Sequence, residues 1–356
     1  MWIKKTLIIL GVIPIIFFSP LGISSIEAED CSLEITVEET AIDNIVYCDY
    51  YPWFNEAIWR RGYSNTPYLG FYNSQDKKVI QQHVAWGNEF GIDVWRIEYE
   101  LPLDEQIQNG ILNTDLGNTR VCMMYDIMIR NISAGKGEPP YNFDDPYIYN
   151  NFINDINHIA NTYFSHPNYF NINGRPVLWI YITRELYGNW KQAVYQARQE
   201  MNNMGYNVYL IGDHIYYDYD YDGIELFDAV GIYSPYQAGP PQSDKLIKRM
   251  DELYLKWSYA AKARGVDLIP GGMPGYNDTC LAHERICMRP FSCSPSEFNW
   301  MLHILLKYAD PVNGAENIRQ FSIATFNENQ EGSGVEPSQE WGYSRIEQIP
   351  KVFGEN

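Results

Sequence analysis

The sequence predicts an α/β protein, a (β/α)8 TIM barrel built as a single domain. Three observations carry this. Eight apolar runs rich in β-branched and aromatic residues recur along the chain, helical periodicity fills most of the intervals between them, and no stretch is long or biased enough to be a linker. At 356 residues the chain has ample length for one large core.

The first strand is expected over 45–51, ended by Pro52. Asp76 is placed to cap a helix over 77–90, where Val79, Ile80, His83, Val84 and Trp86 share one face, and Gly91 ends it. A second strand is expected over 92–99, a short helix over 103–112 and a third strand over 120–126. A Gly/Pro-rich loop over 133–140 follows, and Pro146 opens a helix that runs to about residue 164. The fourth strand is read over 176–182, a helix over 189–204 closed by Gly205, the fifth strand over 207–214 and the sixth over 227–233. The 215–226 connection has no clear helical pattern. A helix over 242–264 is closed by Gly265, and a short seventh strand follows over 266–270. Ser294-Pro295-Ser296-Glu297 has the form of a capping box, with its helix running to 309. The eighth strand is expected over 321–326 and a last helix over 339–349.

Residues 1–28 read as a secretory signal peptide: Lys4 and Lys5, then an apolar run over 7–18, then small residues ending at Ala28. Residues 29–356 then form the barrel domain, expected to be secreted and extracellular, or periplasmic or on the cell surface. A net charge of −19 argues against a nucleic acid or an anionic membrane as partner, and no other stretch is apolar enough to span a bilayer. Six cysteines fit an oxidising compartment, and a local disulfide is expected among Cys280, Cys287 and Cys293, while Cys48 and Cys122 fall in strand runs as buried thiols. Asp218, Asp220, Asp222 and Gly223 have the spacing that opens a calcium loop, but the twelfth position is Ala229, so a solvated acidic loop is the default reading.

In a barrel the C-terminal ends of the strands carry the chemistry. Here those ends hold Asp49 and Tyr50, Glu98, Asp126, Tyr181, Asp213 and His214, Tyr233 and Glu328, with Tyr51 and Trp53 close by. Carboxylates interleaved with aromatics suit a carbohydrate cleft. Beyond the eighth strand lies Asn327-Glu328-Asn329-Gln330-Glu331-Gly332, then Gly334 and Glu336-Pro337. Hydrolysis of a glycosidic bond needs two carboxyls in different protonation states. Glu328 and Glu331 have opposite parity and diverge in extended chain, so the glycines must turn the backbone for the two to meet. No Gly-x-Ser-x-Gly elbow and no His-Glu-x-x-His pair competes with this reading.

These residues resemble a known family. Asn327-Glu328-x-x-Glu331-Gly332 with Glu336-Pro337 resembles the Asn-Glu-x-x-Glu-Gly…Ile-Glu-Pro motif of glycoside hydrolase family 99, the endo-α-1,2-mannosidases and mannanases together with the family 99-like domains. Tyr50-Tyr51-Pro52-Trp53, Leu69-Gly70-Phe71-Tyr72-Asn73-Ser74 with His83 and Gly91-Ile92-Asp93, Asn173-Gly174-Arg175-Pro176-Val177 and Phe227-Asp228-Ala229-Val230 are similar to further stretches of that family, from about residue 45 to 345. The resemblance implies a retaining, endo-acting hydrolase of α-mannan or another α-linked oligosaccharide, with no metal and no cofactor. It implies Glu328 as base on the sugar 2-hydroxyl, attack of that oxygen on its own anomeric carbon to give a 1,2-anhydro sugar, and Glu331 as acid/base. Tyr50, Tyr51, Trp53, His83, Asp126, Tyr181, Asp213, His214, Tyr233, Asn327 and Glu336 are the expected substrate-binding set. The sequence departs from the family at Asn329-Gln330, where Trp-His is usual. That departure keeps two other readings open: a non-catalytic glycan-binding barrel and a polysaccharide-assembly protein of the cell surface.

Overall fold

The computed structural model describes residues 42–236, 242–284 and 287–354. The expected signal segment and Cys31 lie outside them. The main sheet is built on nine parallel strands: β1 (Asp43–Tyr50), β2 (Val94–Tyr99), β3 (Arg120–Tyr125), β4 (Arg175–Ile180), β5 (Tyr209–Asp213), β6 (Ala229–Gly231), β7 (Asp267–Ile269), β8 (Gly271–Gly272) and β9 (Ile318–Ile323). Their order is β7-β6-β5-β4-β3-β2-β1-β9-β8. β7 and β8 are one run of chain interrupted at Pro270, which has no N–H to give to a ladder. β7 pairs with β6 and β8 pairs with β9, so this run closes the ring and fills the seventh of eight strand positions.

The helices form where the caps and periodicity place them. α1 (Lys77–Glu89) starts at Asp76, whose carboxylate accepts the Lys78 N–H at 2.9 Å. α2 (Pro146–Tyr163) is capped by Asp145, and α3 (Trp190–Asn203) and α4 (Ser243–Lys262) follow. α5 (Pro295–Tyr308) starts with a complete capping box between Ser294 and Glu297. Each turns its apolar face to the ring: Ile80, Val84 and Trp86 from α1, and Leu246, Met250, Leu253 and Trp257 from α4, are buried.

Two helices differ from expectation. The 103–112 segment is a 3₁₀ turn (Leu101–Leu103), one α turn (Asp104–Gln106) and a π turn (Ile107–Ile111), which together bury Leu103, Ile107, Gly110 and Ile111. The last helix, α6, spans Gln348–Phe353, not 339–349. Arg345 is the reason: it is 3 % exposed and its guanidinium bonds the Gly332 and Gly334 carbonyls at 3.0 and 3.1 Å, which requires turns across 338–347.

The inside of the ring is polar as well as apolar. Asp49 on β1 and Arg96 on β2 form a fully buried two-point ion pair, Nε–Oδ1 2.5 Å and Nη2–Oδ2 2.8 Å, with the guanidinium 4.1 Å from the Trp179 ring centre. Nearer the strand starts, Tyr47 donates to Gln320 at 2.6 Å, Gln320 donates to Tyr209 at 3.0 Å, and Tyr209 donates to Asp267 at 2.5 Å.

The disulfide expected among Cys280, Cys287 and Cys293 is not formed. Cys280 and Cys293 are free thiols, and the Cys280 and Cys287 sulfurs face the Gln330 and Asp278 carbonyls at 3.1 and 2.8 Å. Cys48 and Cys122 are buried thiols. Among the described residues no helix is long and apolar enough to cross a membrane. In the 218–222 loop, Asp218 and Asp220 accept the N–H groups of Asp220 and Asp222, and Asp222 pairs with Lys191 at 2.5 Å.

Candidate active site

β9 delivers the chain to the C-terminal mouth of the ring, where it folds back on itself. Thr325 N–H donates to Ser333 O at 3.2 Å, Val335 N–H to Thr325 O at 3.0 Å and Glu336 N–H to Phe326 O at 2.8 Å. Residues 326–332 are the tip of this loop. Gly332 turns the tip at φ +65°, and a Cβ there would lie 3.2 Å from Ser64 Cβ, so both the conformation and the space favour glycine. This turn ends the extended chain in which the two glutamates have opposite parity. Glu328 is 5 % exposed and its Oε1 accepts the N–H groups of Gln330 at 2.9 Å and Glu331 at 3.3 Å. Glu331 follows one turn later and is half-buried.

Behind the tip lies a buried layer. Asn327 bonds both backbone groups of Tyr51, accepting at 2.8 Å and donating at 3.0 Å, and so ties the tip to the end of β1. Glu336 is caged by His83 Nε2 at 3.0 Å, the Tyr72 hydroxyl at 2.9 Å and Asn329 Nδ2 at 2.8 Å. His83 Nδ1 meets the Tyr50 hydroxyl at 3.0 Å. Tyr50, His83, Asn327 and Glu336, expected to bind sugar, are therefore placed as the support of the tip: each is buried and bonded inward.

The two residues that depart from the family motif are anchors as well. The Asn329 backbone carbonyl accepts the N–H groups of Ser64 and Asn65 at 2.8 and 3.1 Å. Gln330 sends its amide away from the mouth, to the Ile58 and Gly62 carbonyls at 3.2 and 3.0 Å. The loop over 58–65 thus grips the tip between its two glutamates.

Tyr51, Trp53, Tyr181 and Tyr233 wall the mouth. The Tyr51 and Tyr233 hydroxyls meet at 2.6 Å, the Tyr51 and Trp53 rings lie 4.3 Å apart, and Tyr181 stands edge-on to Tyr233 at 5.3 Å. Burial raises the Tyr233 hydroxyl well above its ordinary pKa, and the Glu331 charge adds to this; Tyr51 is raised by burial, then by Tyr233, Glu98, Asp49 and Glu328. The two tyrosines thus sense both tip glutamates and Glu98.

A second group of carboxyls stands at the tips of β2 and β3. Oxygens of Glu98, Glu100 and Asp126 lie within 4.8 Å of one another. Burial first, then the Asp126 and Glu100 charges, raises Glu98 well above the usual carboxylate range, and Glu100 is pushed up to about 8 by burial and Asp126. This spacing suits a divalent cation or shared protons, and shared protons at neutral pH relieve the repulsion without an ion. Asp126 belongs to the expected binding set. Glu98 is visible in the sequence as a strand-end acid, but its closeness to Asp126 is not, because β2 and β3 pair Glu98 with Met124.

Two expected residues are placed elsewhere. Asp213 is fully buried, and its oxygens accept from Ile182 N at 3.0 Å, Arg184 Nη1 at 2.8 Å and Tyr233 N at 2.9 Å, so it positions Tyr233. His214, the first residue after β5, packs among Trp190, Phe227 and Trp257 and not against the Tyr51–Tyr233 wall.

No protein-family model matches the chain, and no curated protein matches it. Solved structures do. A GH99 endo-alpha-mannosidase from Bacteroides thetaiotaomicron, in complex with BIS-TRIS-Propane, superposes with a TM-score of 0.65 at 18 % identity, covering 88 % of this chain and 96 % of that one. A protein described as glycoside hydrolase-like gives 0.65 at 18 % identity, over 90 % of this chain and 97 % of its own. A second structure of the Bacteroides thetaiotaomicron enzyme gives 0.62 at 16 % identity, over 88 % and 97 %. At this identity the likeness shows the fold: the chain is built on the same (β/α)8 barrel as the GH99 endo-alpha-mannosidase structures.

Proposed function

We propose that this protein is a secreted, retaining, endo-acting glycoside hydrolase that cleaves α-mannosidic linkages of the α-1,2 type. One observation carries the reading: Glu328 and Glu331 occupy a single loop tip at the barrel mouth, against the Tyr51–Tyr233 wall. The fold shared with structures described as endo-alpha-mannosidases supports it.

In this reading Glu328 takes the proton of the sugar 2-hydroxyl. That oxygen forms a bond to its own C1 as the bond from C1 to the leaving oxygen breaks, and Glu331 protonates the leaving oxygen. Water then enters at C1, giving a proton to Glu331, while the C1–O2 bond of the 1,2-anhydro unit opens and O2 recovers its proton from Glu328. Both carboxyls end as they began. The two N–H groups on Glu328 Oε1 hold this carboxyl in place at the tip. Secretion rests on the charge and apolar pattern of residues 1–28.

The test is incubation of the secreted form with α-mannan and α-1,2-linked manno-oligosaccharides. Release of internal fragments supports the reading, and intact polymer with all the α-linked glycans offered refutes it. Gln330 supplies a finer check. Gln330→Leu removes the side-chain part of the tie between the tip and the 58–65 loop and leaves the Asn329 carbonyl bonds, and a small misplacement of Glu328 and Glu331 is expected to lower kcat about 10- to 100-fold with little change in KM. Gln330→Glu, which keeps the shape but not the donors, is expected to fall with it. Equal kcat in all three proteins contradicts the anchoring role.

A further inference from the structure

A cavity of about 300 Å³ opens on the outer side of the ring, between the segment after β4 and the segment after β5. His214 and Thr183 are on its wall. The His214 ring is 3 % exposed; its Nδ1 meets the Thr183 hydroxyl at 3.0 Å, and its Nε2 is buried with no protein partner. A buried imidazole nitrogen without a partner is costly, and His214 is one of the residues that line the cavity. Burial holds this imidazole neutral, with its pKa lowered to about 4.

The rest of the wall defines what fits. Lys191 is paired with Asp222, and Arg184 is bonded to Asp213, so neither cation calls for an anion. Asp220 supplies acceptors, and among the charges acting on the His214 ring it comes first. The Trp190 indole forms an apolar wall, and Tyr187 stands at the rim with half its surface exposed. Donors, acceptors and aromatic faces around a space at the small end of ligand pockets suit a neutral polyhydroxylated ring. The loops that hold this shape carry two non-glycine residues in the left-handed region, Ile182 at φ +46° and Tyr219 at φ +57°. A branched side chain such as Ile182 is strained there and persists only where its surroundings fix it.

The cavity is separate from the glutamates. His214 packs among Trp190, Phe227 and Trp257 and not against the Tyr51–Tyr233 wall, and Asp213, through its bonds to Tyr233 and Arg184, closes the wall between the two sites. We propose that the His214 cavity is a second glycan-binding site, which takes one neutral pyranose unit of a longer chain on the outside of the barrel. This holds the polymer near the mouth without contributing to the chemistry, and it stands whether or not the hydrolase reading does.

The test is a histidine-selective ¹⁵N NMR titration of the full chain with methyl α-D-mannopyranoside and methyl α-D-glucopyranoside, the His214 signal being assigned with His214→Gln. The Nε2 resonance is expected to move saturably with at least one of the two sugars. Tyr187→Ala combined with Asp220→Ala, both at the rim, is expected to weaken that response by about tenfold or more. Asp220→Asn alone, which keeps the side-chain shape, is expected to weaken it less. Glu328→Gln leaves it unchanged, so loss of hydrolysis and loss of this site are distinguishable. A resonance that stays still with both sugars, that moves equally in the rim variant, or that responds only to a divalent cation overturns the proposal.

Discussion

Under the proposed function, Glu328→Gln and Glu331→Gln are each expected to lower turnover of α-1,2-linked mannan by about 10²- to 10⁴-fold, the range that a positioned acid or base contributes. Binding stays close to that of the unaltered protein, since an amide has the size and most of the hydrogen bonds of a carboxyl. The two variants differ in one respect. In the proposed mechanism Glu331→Gln removes proton donation to the leaving oxygen, so a substrate with a good leaving group, such as an aryl glycoside, is expected to recover much of the lost rate. Glu328→Gln would remove the base that activates the 2-hydroxyl, and no leaving group is expected to replace it. The Gln330 and Glu331 N–H groups both bond Oε1 of Glu328, so a Gln that keeps its carbonyl oxygen there keeps both bonds and the tip is expected to hold its shape. Steady-state kinetics on the two substrate types separates the roles. If both variants keep ordinary turnover, the glutamates are not the catalytic pair.

Asp49→Asn destabilises the fold by about 3–5 kcal/mol, because it leaves Arg96 charged inside the ring. Burial works against the Arg96 charge, but the Asp49 carboxylate overcomes it and raises the guanidinium above its ordinary pKa. A guanidinium keeps its proton at any pH the protein meets, and with Asn opposite it the Arg96 charge loses its paired carboxylate. One guanidinium nitrogen, Nη1, already lacks a hydrogen-bond partner. The loss is read as a drop in the urea midpoint at constant m-value. The double change Asp49→Leu with Arg96→Met removes both charges, and it is expected to recover most of the loss. A single variant within about 1 kcal/mol of the unaltered protein would show that water reaches Arg96 and that the ring is wetter than its fully buried pair implies.

Most of the ring is legible in the sequence because β-branched and aromatic runs alternate with capped helical patterns, and local signals of this kind survive in the tertiary structure. Asp76 and the Ser294–Glu297 box start their helices where the sequence places them. The departures have a common cause in long-range contacts. Gly271-Gly272 lacks any strand preference and is held in place by pairing with β9 and by the Tyr254 hydroxyl on the Gly271 backbone. The 339–349 segment has helical spacing, but Arg345 is drawn inward by carbonyls of the loop tip. At the site, the glutamates can be found from sequence because they follow a strand, while the anchoring of their loop tip depends on Asn327 reaching Tyr51, 276 residues away. Sequence proximity groups His214 with Asp213, although β5 ends at Asp213 and His214 packs among Trp190, Phe227 and Trp257. His83 and Glu336 look like sugar ligands because polar residues near a mouth are alike in sequence, and only burial assigns them to the layer behind it.

The central claim, that Glu328 and Glu331 act in sequence on one sugar with the 2-hydroxyl as nucleophile, is tested most directly by following the first product of α-1,2-linked manno-oligosaccharide cleavage by ¹H NMR. The mechanism predicts that the α-anomer appears first and equilibrates later, and that a substrate lacking the 2-hydroxyl at the cleaved unit is not turned over. Initial release of the β-anomer, or ordinary turnover of the 2-deoxy substrate, contradicts it.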